Sequence, residues 1–370
     1  MEIDPGKADA VLLANSGQQA AAPSPQSPIP HTQSPLARSR FTPARLLLLV
    51  LLAAASIALL VWWGGGSGKT LALLARTDWR LLGLAILIHY SGFALRGHRW
   101  QRLLAGMGHR LPYARVTGLL ISGWFVSALV PARAGDAARV AALRRGSADA
   151  PPAPVADSLS SIVLERLLDI LAIVGLGGAS GFFLLRDQLP AWVLSVYATG
   201  AGLLLLFGLG LLLAPSLLDR LRGLWSHPLW HKGLDFAGQA LVALRSLLAR
   251  PGHAWLLVAE SLYIWLCDAL LLWLVVLALG APLPFPASAF VALTVDVLAT
   301  VPLTPGGIGQ IEAAYAGLLA LLALPVAVVP AAVLLTRAIS YWSFLIFSAV
   351  VAGVTGSHFI PRGAGRWMGD

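Results

Sequence analysis

Cysteine, lysine and charge in general are scarce in this sequence. Cys267 is the only cysteine, which excludes an internal disulfide and a thiolate metal site. Lysine occurs only as Lys7, Lys69 and Lys232, so the net charge of +9 comes almost wholly from arginine. Charged residues make up 12% of the chain, whereas about a quarter is usual in soluble domains. The shortage of charge excludes an ordinary soluble protein.

Long hydrophobic runs replace the missing charge. Hydrophobic residues are 58% of the chain, and the mean hydropathy is +0.78. A helix needs about 20 apolar residues to cross a membrane, and by this rule we assign about six full spans. The spans lie near 46–63, 80–96, 160–185, 189–214, 254–280 and 326–354. None has the alternating pattern of a membrane barrel strand, so the sequence predicts an all-α, polytopic helical membrane protein.

The regions outside these spans predict tails and one surface segment. Residues 1–40 are rich in Pro, Ser, Ala and Gln, a composition that cannot form a packed core. We expect a disordered cytoplasmic tail over 1–40, a transmembrane domain over 41–356 and a second cytoplasmic tail over 357–370. The stretch 215–250 mixes leucines with charged residues, which indicates an amphipathic segment on the cytoplasmic surface.

Arginines in the loops indicate the orientation and the partners. By the positive-inside rule, the arginine-rich loops and both termini belong in the cytoplasm. We therefore expect a multi-pass protein of the bacterial inner membrane. The arginines are scattered through membrane loops, so they favour anionic lipid headgroups and not nucleic acid as partners.

One spacing occurs twice in the chain. Val130-Pro131, Gly135 and Arg166 recur 171 residues later as Val301-Pro302, Gly306 and Arg337. Proline and glycine interrupt helices, and an arginine at membrane depth is costly unless it has a function. Two broken helices, each followed by a span with an arginine, are typical of transporters built from two related halves.

The loop charges predict that the two halves face opposite ways. If the short apolar stretch 116–131 crossed the membrane, Arg133 and Arg139 would lie outside, against the positive-inside rule. We therefore interpret it as a re-entrant hairpin from the cytoplasm, and 287–324 as a matching hairpin from the outside. Half one is then about 41–186 and half two about 187–356, an inverted repeat. A central cavity is expected between the hairpins, and a transporter would place Arg166 and Arg337 in it together.

The first cluster of candidate site residues surrounds the first hairpin. Its arginines would form a phosphate-binding floor, with the acids holding them in place. The alternative is an ion-pair cluster that only locks the hairpin. The cluster comprises Arg133, Gly135, Asp136, Arg139, Glu165, Arg166 and Asp169.

The second cluster follows the second hairpin's break. Its glycines free the backbone to turn and expose N–H groups to an anion, next to a helix N-terminus; the alternative is a tight turn without a ligand. The cluster comprises Pro305, Gly306, Gly307, Gly309, Glu312, Arg337 and Tyr341. For Arg337 we expect Glu312 or Asp296 as its ion-pair partner. No residue pattern predicts a metal or a cofactor.

Both clusters resemble one known family. The motifs Pro131-x-Arg-x-Gly-Asp-x-x-Arg139, Glu165-Arg-x-x-Asp169 and Thr304-Pro-Gly-Gly-Ile-Gly-x-x-Glu312, with Arg337 and Arg99-Trp100, are similar to the lysylphosphatidylglycerol synthase transmembrane-region family. The resemblance covers about 45–355 and implies a flippase-like helical bundle that moves or holds a lipid. It also implies a stand-alone membrane region, because no aminoacyl transferase domain follows. Asp136 stands where the family commonly has glutamate.

Three functions remain open from the sequence. The first is a lipid flippase or transporter that binds a phosphorylated headgroup, such as that of an anionic, polyprenyl-phosphate or hopanoid-pathway lipid. The second is a membrane-embedded glycosyl- or lipid-transferase, although no Asp-x-Asp pair is present. The third is a non-catalytic scaffold for lipid-biosynthesis enzymes. The sequence does not indicate the oligomeric state.

Overall fold

The computed structural model describes residues 54–355 with short gaps. The gaps are 56, 60, 63–66, 130–133, 147–150, 185–186, 188, 190, 225–226, 249–250 and 301–303. All described residues belong to the compact unit Leu47–Asp370. The predicted tails 1–40 and 357–370 lie outside the described residues, as does part of the predicted first span.

The described residues form helices and connecting turns without any strand, which confirms the all-α class. The helices of the first half are α1 (Ser67–Ala75), α2 (Trp79–Gly106), α3 (Tyr113–Leu129), α4 (Ala134–Arg145) and α5 (Val155–Ala179). A short π-helical segment, Ser180–Leu184, extends α5.

The predicted second half also consists of long and short helices. Its helices are α6 (Ala191–Arg222), α7 (Pro228–Leu248), α8 (Pro251–Ala278), α9 (Phe285–Ala299), α10 (Gln310–Leu321), α11 (Val329–Arg337) and α12 (Ser343–Thr355). A 3₁₀ turn, Pro305–Gly307, precedes α10, and a π-helical segment, Ala338–Trp342, joins α11 to α12.

Two stretches of the described residues are long and apolar enough to cross a membrane. They are Gly252–Ala278 and Val329–Thr355, and they coincide with the predicted spans 254–280 and 326–354. The predicted spans 80–96, 160–185 and 189–214 fall on α2, α5 and α6. The number of spans and the inverted repeat stay predictions.

Both predicted hairpins consist of two short helices in contact. In the first, α3 packs against α4, and in the second, α9 packs against α10. A 15-residue helix such as α9 is roughly 22 Å long, shorter than the roughly 30 Å hydrocarbon core. The short helices are thus compatible with re-entrant hairpins, which remain an expectation.

The core joins the two predicted halves through α2 and α8, which pack against each other along their length. Ala85 on α2 and Leu272 on α8 are fully buried in the same apolar cluster. The backbone N–H of Asp78, which caps α2, donates to the carbonyl oxygen of Ala278 at the end of α8. The start of α2 therefore lies beside the end of α8.

Large apolar side chains also cover part of the outer surface. On α12, Ile346, Val350 and Val354 are 70%, 62% and 79% exposed. They are four residues apart, so they form one stripe along the helix. An exposed apolar stripe is costly in water, but it is the surface that lipid chains solvate.

The predicted amphipathic segment 215–250 is divided between two helices. Its first part ends α6, and its remainder is α7. Leu234 and Leu241, seven residues apart on α7, are buried, whereas Asp235 pairs with Arg222 at 3.0 Å. The amphipathic character is thus present, and the position on the cytoplasmic surface stays a prediction.

Candidate functional site

The glycine motif before α10 positions a carboxylate that binds Arg337. Glu312 lies in the first turn of α10, where its Oε2 accepts the N–H of Gly309 at 2.7 Å. Its Oε1 accepts a 2.7 Å hydrogen bond from Nε of Arg337. Both side chains are buried. Of the two partners expected for Arg337, Glu312 is the one that it binds.

The glycines of this motif adopt a backbone conformation that other residues rarely take. Gly306, Gly307 and Gly309 have φ values of 63°, 66° and 84°, in the left-handed region that favours glycine. A Cβ at Gly306 would overlap the ring of Tyr341. The N–H of Gly307 donates to the carbonyl of Thr304, so this N–H and that of Gly309 already have acceptors within the protein.

Tyr341 and the Gly306 carbonyl complete the surroundings of Arg337. The guanidinium carbon of Arg337 lies 4.2 Å from the centre of the Tyr341 ring. Its NH2 group donates to the Gly306 carbonyl at 3.3 Å. Arg337 is therefore held by a carboxylate, an aromatic face and a backbone carbonyl from three segments of the second half.

The first cluster is centred on a fully buried arginine of α4. Arg139 donates to Oε2 of Glu165 at 2.6 Å and to Oδ1 of Asp136 at 3.2 Å. Its guanidinium carbon lies 3.9 Å from the centre of the Trp100 ring. Because Arg139 has no exposed surface, it is enclosed by protein groups and is not placed to meet a headgroup.

Arg166 and Arg99 complete the ion-pair network on α5. Arg166 lies 3.3 Å from Glu165 and from Asp169, and 3.9 Å from Asp136. Arg99 donates to Asp169 at 2.7 Å and to Ser261 at 2.8 Å. The side chain of Arg166 is 32% exposed, which makes it the accessible arginine among the described members of this cluster.

The described charges of this network balance each other. Three arginines face three carboxylates, and the pairs link α2, α4 and α5. Because the pairs join three helices and Arg139 is enclosed, the network favours the alternative in which the pairs lock the hairpin. Arg133, which was predicted to belong to the phosphate floor, lies outside the described residues.

Gly135 brings the two helices of the first hairpin into direct backbone contact. A Cβ at this position would overlap the carbonyl oxygen of Gly123 on α3. The N–H of Gly135 donates to the hydroxyl of Ser127 at 3.0 Å. This predicted site residue therefore packs α4 against α3.

A polar cavity of about 200 Å³ lies among α2, α8, α9, α10 and the α11–α12 region. It is charged on several sides and is closed partly by aromatic and aliphatic side chains. Its lining comprises His89, Phe93, Arg96, Asp268, Leu271, Val295, Asp296, Ile311, Tyr315, Arg337, Ser340 and Tyr341.

One wall of the cavity carries a linked arginine, aspartate and histidine. The NH2 group of Arg96 donates to Oδ2 of Asp268 at 2.9 Å, and Nδ1 of His89 lies 3.1 Å from Oδ1. The Arg96 guanidinium also lies within 5.3–5.7 Å of the ring centres of Phe93, Trp124 and Trp265. This arginine is fixed in place but keeps a position on the cavity wall.

A further carboxylate on the cavity wall has no ion-pair partner among the described residues. Asp296 on α9 lines the cavity, and its Oδ2 atom is buried without a hydrogen-bond partner among the described residues. The Nε2 atom of His89 is likewise buried without a hydrogen-bond partner among the described residues, and His89 is only 3% exposed. Buried polar atoms without partners are uncommon in folded proteins and point to a ligand, a water or a functional role.

Among the described residues, Arg337 and Arg166 occupy adjoining places in the structure. Arg337 lines the cavity, whereas Arg166 is not among its lining residues. The two regions meet at Trp265, whose indole N–H donates to Asp169 at 3.1 Å and whose ring lies beside Arg96. A common cavity for Arg166 and Arg337 therefore stays a prediction.

Sequence reasoning did not include Arg96 or His89 of α2 among the candidate site residues. The predicted span 80–96 ends at Arg96, but α2 continues to Gly106 and holds Arg96 and Arg99 within the helical bundle. His89 is an ionisable residue in the middle of the predicted span 80–96. Such a residue is a signal for a functional site, and it would have directed attention to α2.

Comparison with known proteins identifies the family. Residues 46–348 match the family described as the lysylphosphatidylglycerol synthase TM region. The chain belongs to this family. The match includes every described part of both clusters and the whole cavity lining, and it establishes an integral membrane protein.

Curated relatives of this family member come from archaea. Glycosyltransferase AglD of Haloferax volcanii is 29% identical over 72% of this chain and 47% of its own length. UPF0104 membrane proteins of Methanocaldococcus jannaschii and Methanothermobacter thermautotrophicus are each 26% identical, over 61% and 75% of this chain and 92% and 85% of their own lengths. The chain thus spans about half of the Haloferax protein and most of the other two.

Proposed function

We propose that this protein is a flippase-like lipid transporter that binds a phosphorylated headgroup in the cavity lined by Arg96 and Arg337. The single observation that carries the proposal is the polar cavity of about 200 Å³ within a helical bundle of an integral membrane family. A charged cavity is costly inside a membrane protein and is retained for function.

The lining suits a phosphate more than an apolar ligand. Arginine is the residue best suited to phosphate because its planar guanidinium donates several hydrogen bonds. Arg96 and Arg337 enter the cavity from α2 and α11, and Ser340 and Tyr341 add hydroxyl groups. Acyl or prenyl chains would extend over the exposed apolar surface that α12 presents.

The site residues predicted from sequence take different parts in this proposal. Arg337 and Tyr341 would contact the headgroup, and Glu312 with the glycines would orient Arg337. Gly135, Asp136, Arg139, Glu165 and Asp169 would hold α4 and α5 together, while Arg166 would offer a second, more exposed contact. Contacts with lipid-biosynthesis enzymes, and a location in the bacterial inner membrane with cytoplasmic termini, are part of the same proposal.

A transport assay tests the proposal. Protein reconstituted in phosphatidylcholine vesicles with a trace of fluorescent phosphatidylglycerol should expose that lipid to a membrane-impermeant quencher. The double substitution Arg96→Gln with Asp268→Asn removes one cavity cation together with its counter-charge, so no buried charge is left unpaired. We expect it to slow lipid movement about tenfold or more, because a hydrogen bond to a charged group is worth roughly 1.5–3 kcal/mol.

The matched control removes an ion pair of the same type from the surface. Arg222→Gln with Asp235→Asn breaks the pair between α6 and α7 and should leave lipid movement unchanged. Equal rates in the wild type, the cavity double variant and protein-free vesicles would contradict a transport function.

A second candidate is a membrane-embedded glycosyl transferase. The relative from Haloferax is named a glycosyltransferase, and Asp268 bonds to Nδ1 of His89, a residue of the cavity lining, which leaves Nε2 without a partner among the described residues. In this candidate Nε2 takes the proton of an acceptor hydroxyl, which then attacks a sugar as its lipid-phosphate leaving group departs. Sugar transfer lost in His89→Gln, with lipid movement retained, would favour this candidate.

A further inference from the structure

Asp296 differs from the other carboxylates around the cavity in having no cation of its own. Asp268 pairs with Arg96 at 2.9 Å, and Glu312 pairs with Arg337 at 2.7 Å. No ion pair or hydrogen bond of the Asp296 carboxylate occurs among the described residues, and its Oδ2 is buried. With Asp296 ionised and His89 neutral, the described groups on the cavity wall and their paired partner Glu312 carry a net charge of −1.

An uncompensated carboxylate opposes the binding of an anion. Burying an isolated charge costs several kcal/mol, and a phosphate brought beside it adds like-charge repulsion. A proton on Asp296 removes both costs, because the carboxylic acid is neutral and its O–H can donate to the phosphate. The cavity then presents two paired arginines and no surplus negative charge.

We propose that binding of a phosphorylated headgroup is coupled to the uptake of one proton by Asp296. This inference rests on the proposed headgroup site and adds how its charge is balanced. Since the bound state would hold an additional proton, headgroup affinity falls as the pH rises. Lipid movement through this cavity would then carry protons with it.

The other ionisable groups around Asp296 include ion-paired residues and one competing proton acceptor. Asp268, Arg96 and Asp169 are its charged neighbours, and each of them lies in an ion pair. His89 on α2 faces the same cavity with a free Nε2, which makes it the competing proton acceptor. On α10 and beyond, the remaining ionisable lining groups are Tyr315, Arg337 and Tyr341.

Calorimetry in two buffers measures the proton directly. Short-chain phosphatidylglycerol is titrated into the detergent-solubilised full chain near neutral pH, in Hepes and in Tris, whose ionisation enthalpies differ. The difference in heat gives the protons taken up. We expect about one proton per headgroup for the wild type, and none for Asp296→Asn, which mimics the protonated acid and should still bind.

Two further variants assign the proton to one residue. Asp235→Asn makes the same chemical change on the surface and should keep the uptake of the wild type. Uptake that persists in Asp296→Asn and disappears in His89→Gln would overturn the proposal. Wild-type binding without any proton uptake would also overturn the proposal, but it would leave the headgroup site intact. An absence of binding by every variant at every pH would instead overturn the headgroup site itself, and this inference with it.

Discussion

The Nε atom of Arg337 and the Oε1 atom of Glu312 lie 2.7 Å apart, joining α11 to the first turn of α10. The first half contains a related contact, because Asp136 in the first turn of α4 lies 3.9 Å from Arg166 on α5. In each predicted half, an acid at the start of the second helix of the predicted hairpin faces the arginine of the following predicted span. This similarity is separate from the repeated spacing of 171 residues, because Asp136 and Glu312 are not 171 residues apart.

Replacing Glu312 should destabilise the protein strongly. Glu312→Ala removes the acceptor of the Gly309 N–H and leaves buried Arg337 without its counter-charge. Loss of one partner of a buried ion pair costs about 3–5 kcal/mol. Thermal unfolding in detergent should show a lower midpoint for Glu312→Ala, and a smaller loss for Glu312→Gln, which keeps an oxygen acceptor. A midpoint equal to that of the wild type in both variants would contradict the role of this bridge.

Two glycines of the same motif should respond differently to alanine. Both have positive φ, so both substitutions strain the backbone, by roughly 1 kcal/mol. Only Gly306→Ala also pushes a Cβ into Tyr341, whereas open space surrounds a Cβ at Gly309. Gly306→Ala should therefore lower the unfolding midpoint more, and adding Tyr341→Ala should recover part of the difference. Equal effects of the two alanines would rule out the steric overlap.

Substitutions of two arginines in the first cluster should lower the stability by different amounts. Arg139 is fully buried, and its removal strips Glu165 of a 2.6 Å partner, so Arg139→Ala should cost about 3–5 kcal/mol. Arg166 is partly exposed, and its carboxylates keep Arg139 and Arg99, so Arg166→Ala should cost roughly 1 kcal/mol. Unfolding midpoints of the purified variants measure this, and the reverse order would show that Arg166 carries the network.

Single cysteines test the predicted orientation of the loops. With Cys267→Ser as the background, Arg110→Cys lies between α2 and α3, and Pro282→Cys lies between α8 and α9; both wild-type positions are exposed. The positive-inside rule places the first in the cytoplasm, and the span count places the second outside. A membrane-impermeant maleimide should label Pro282→Cys in intact cells and Arg110→Cys only in lysed cells. Equal labelling in intact cells would refute the predicted arrangement.

The sequence alone predicted the class of fold and the residues around Arg337, which lie on one side of the cavity. Hydropathy predicted helices because apolar runs and missing charge are properties of composition. The pairing of Arg337 with Glu312 was among the expected alternatives because both belong to one motif region. Charge could not reveal that Arg139 is enclosed and Arg337 lines a cavity, since exposure depends on how helices pack. His89, Arg96 and Asp268 come together from α2 and α8, which are distant in sequence, and no motif joins them.

The backbone contact at Gly135 has a mechanical consequence. Helices that touch through side chains can slide when rotamers change, but α3 and α4 touch where a carbonyl oxygen meets a residue without a side chain. That contact has no rotamer to adjust, so we expect α3 and α4 to move together in any rearrangement. The cavity wall itself contains the π-helical segment Ala338–Trp342, with Ser340 and Tyr341. Because π-helical turns are frequent at functional sites, we expect any opening of the cavity to bend the chain at this segment.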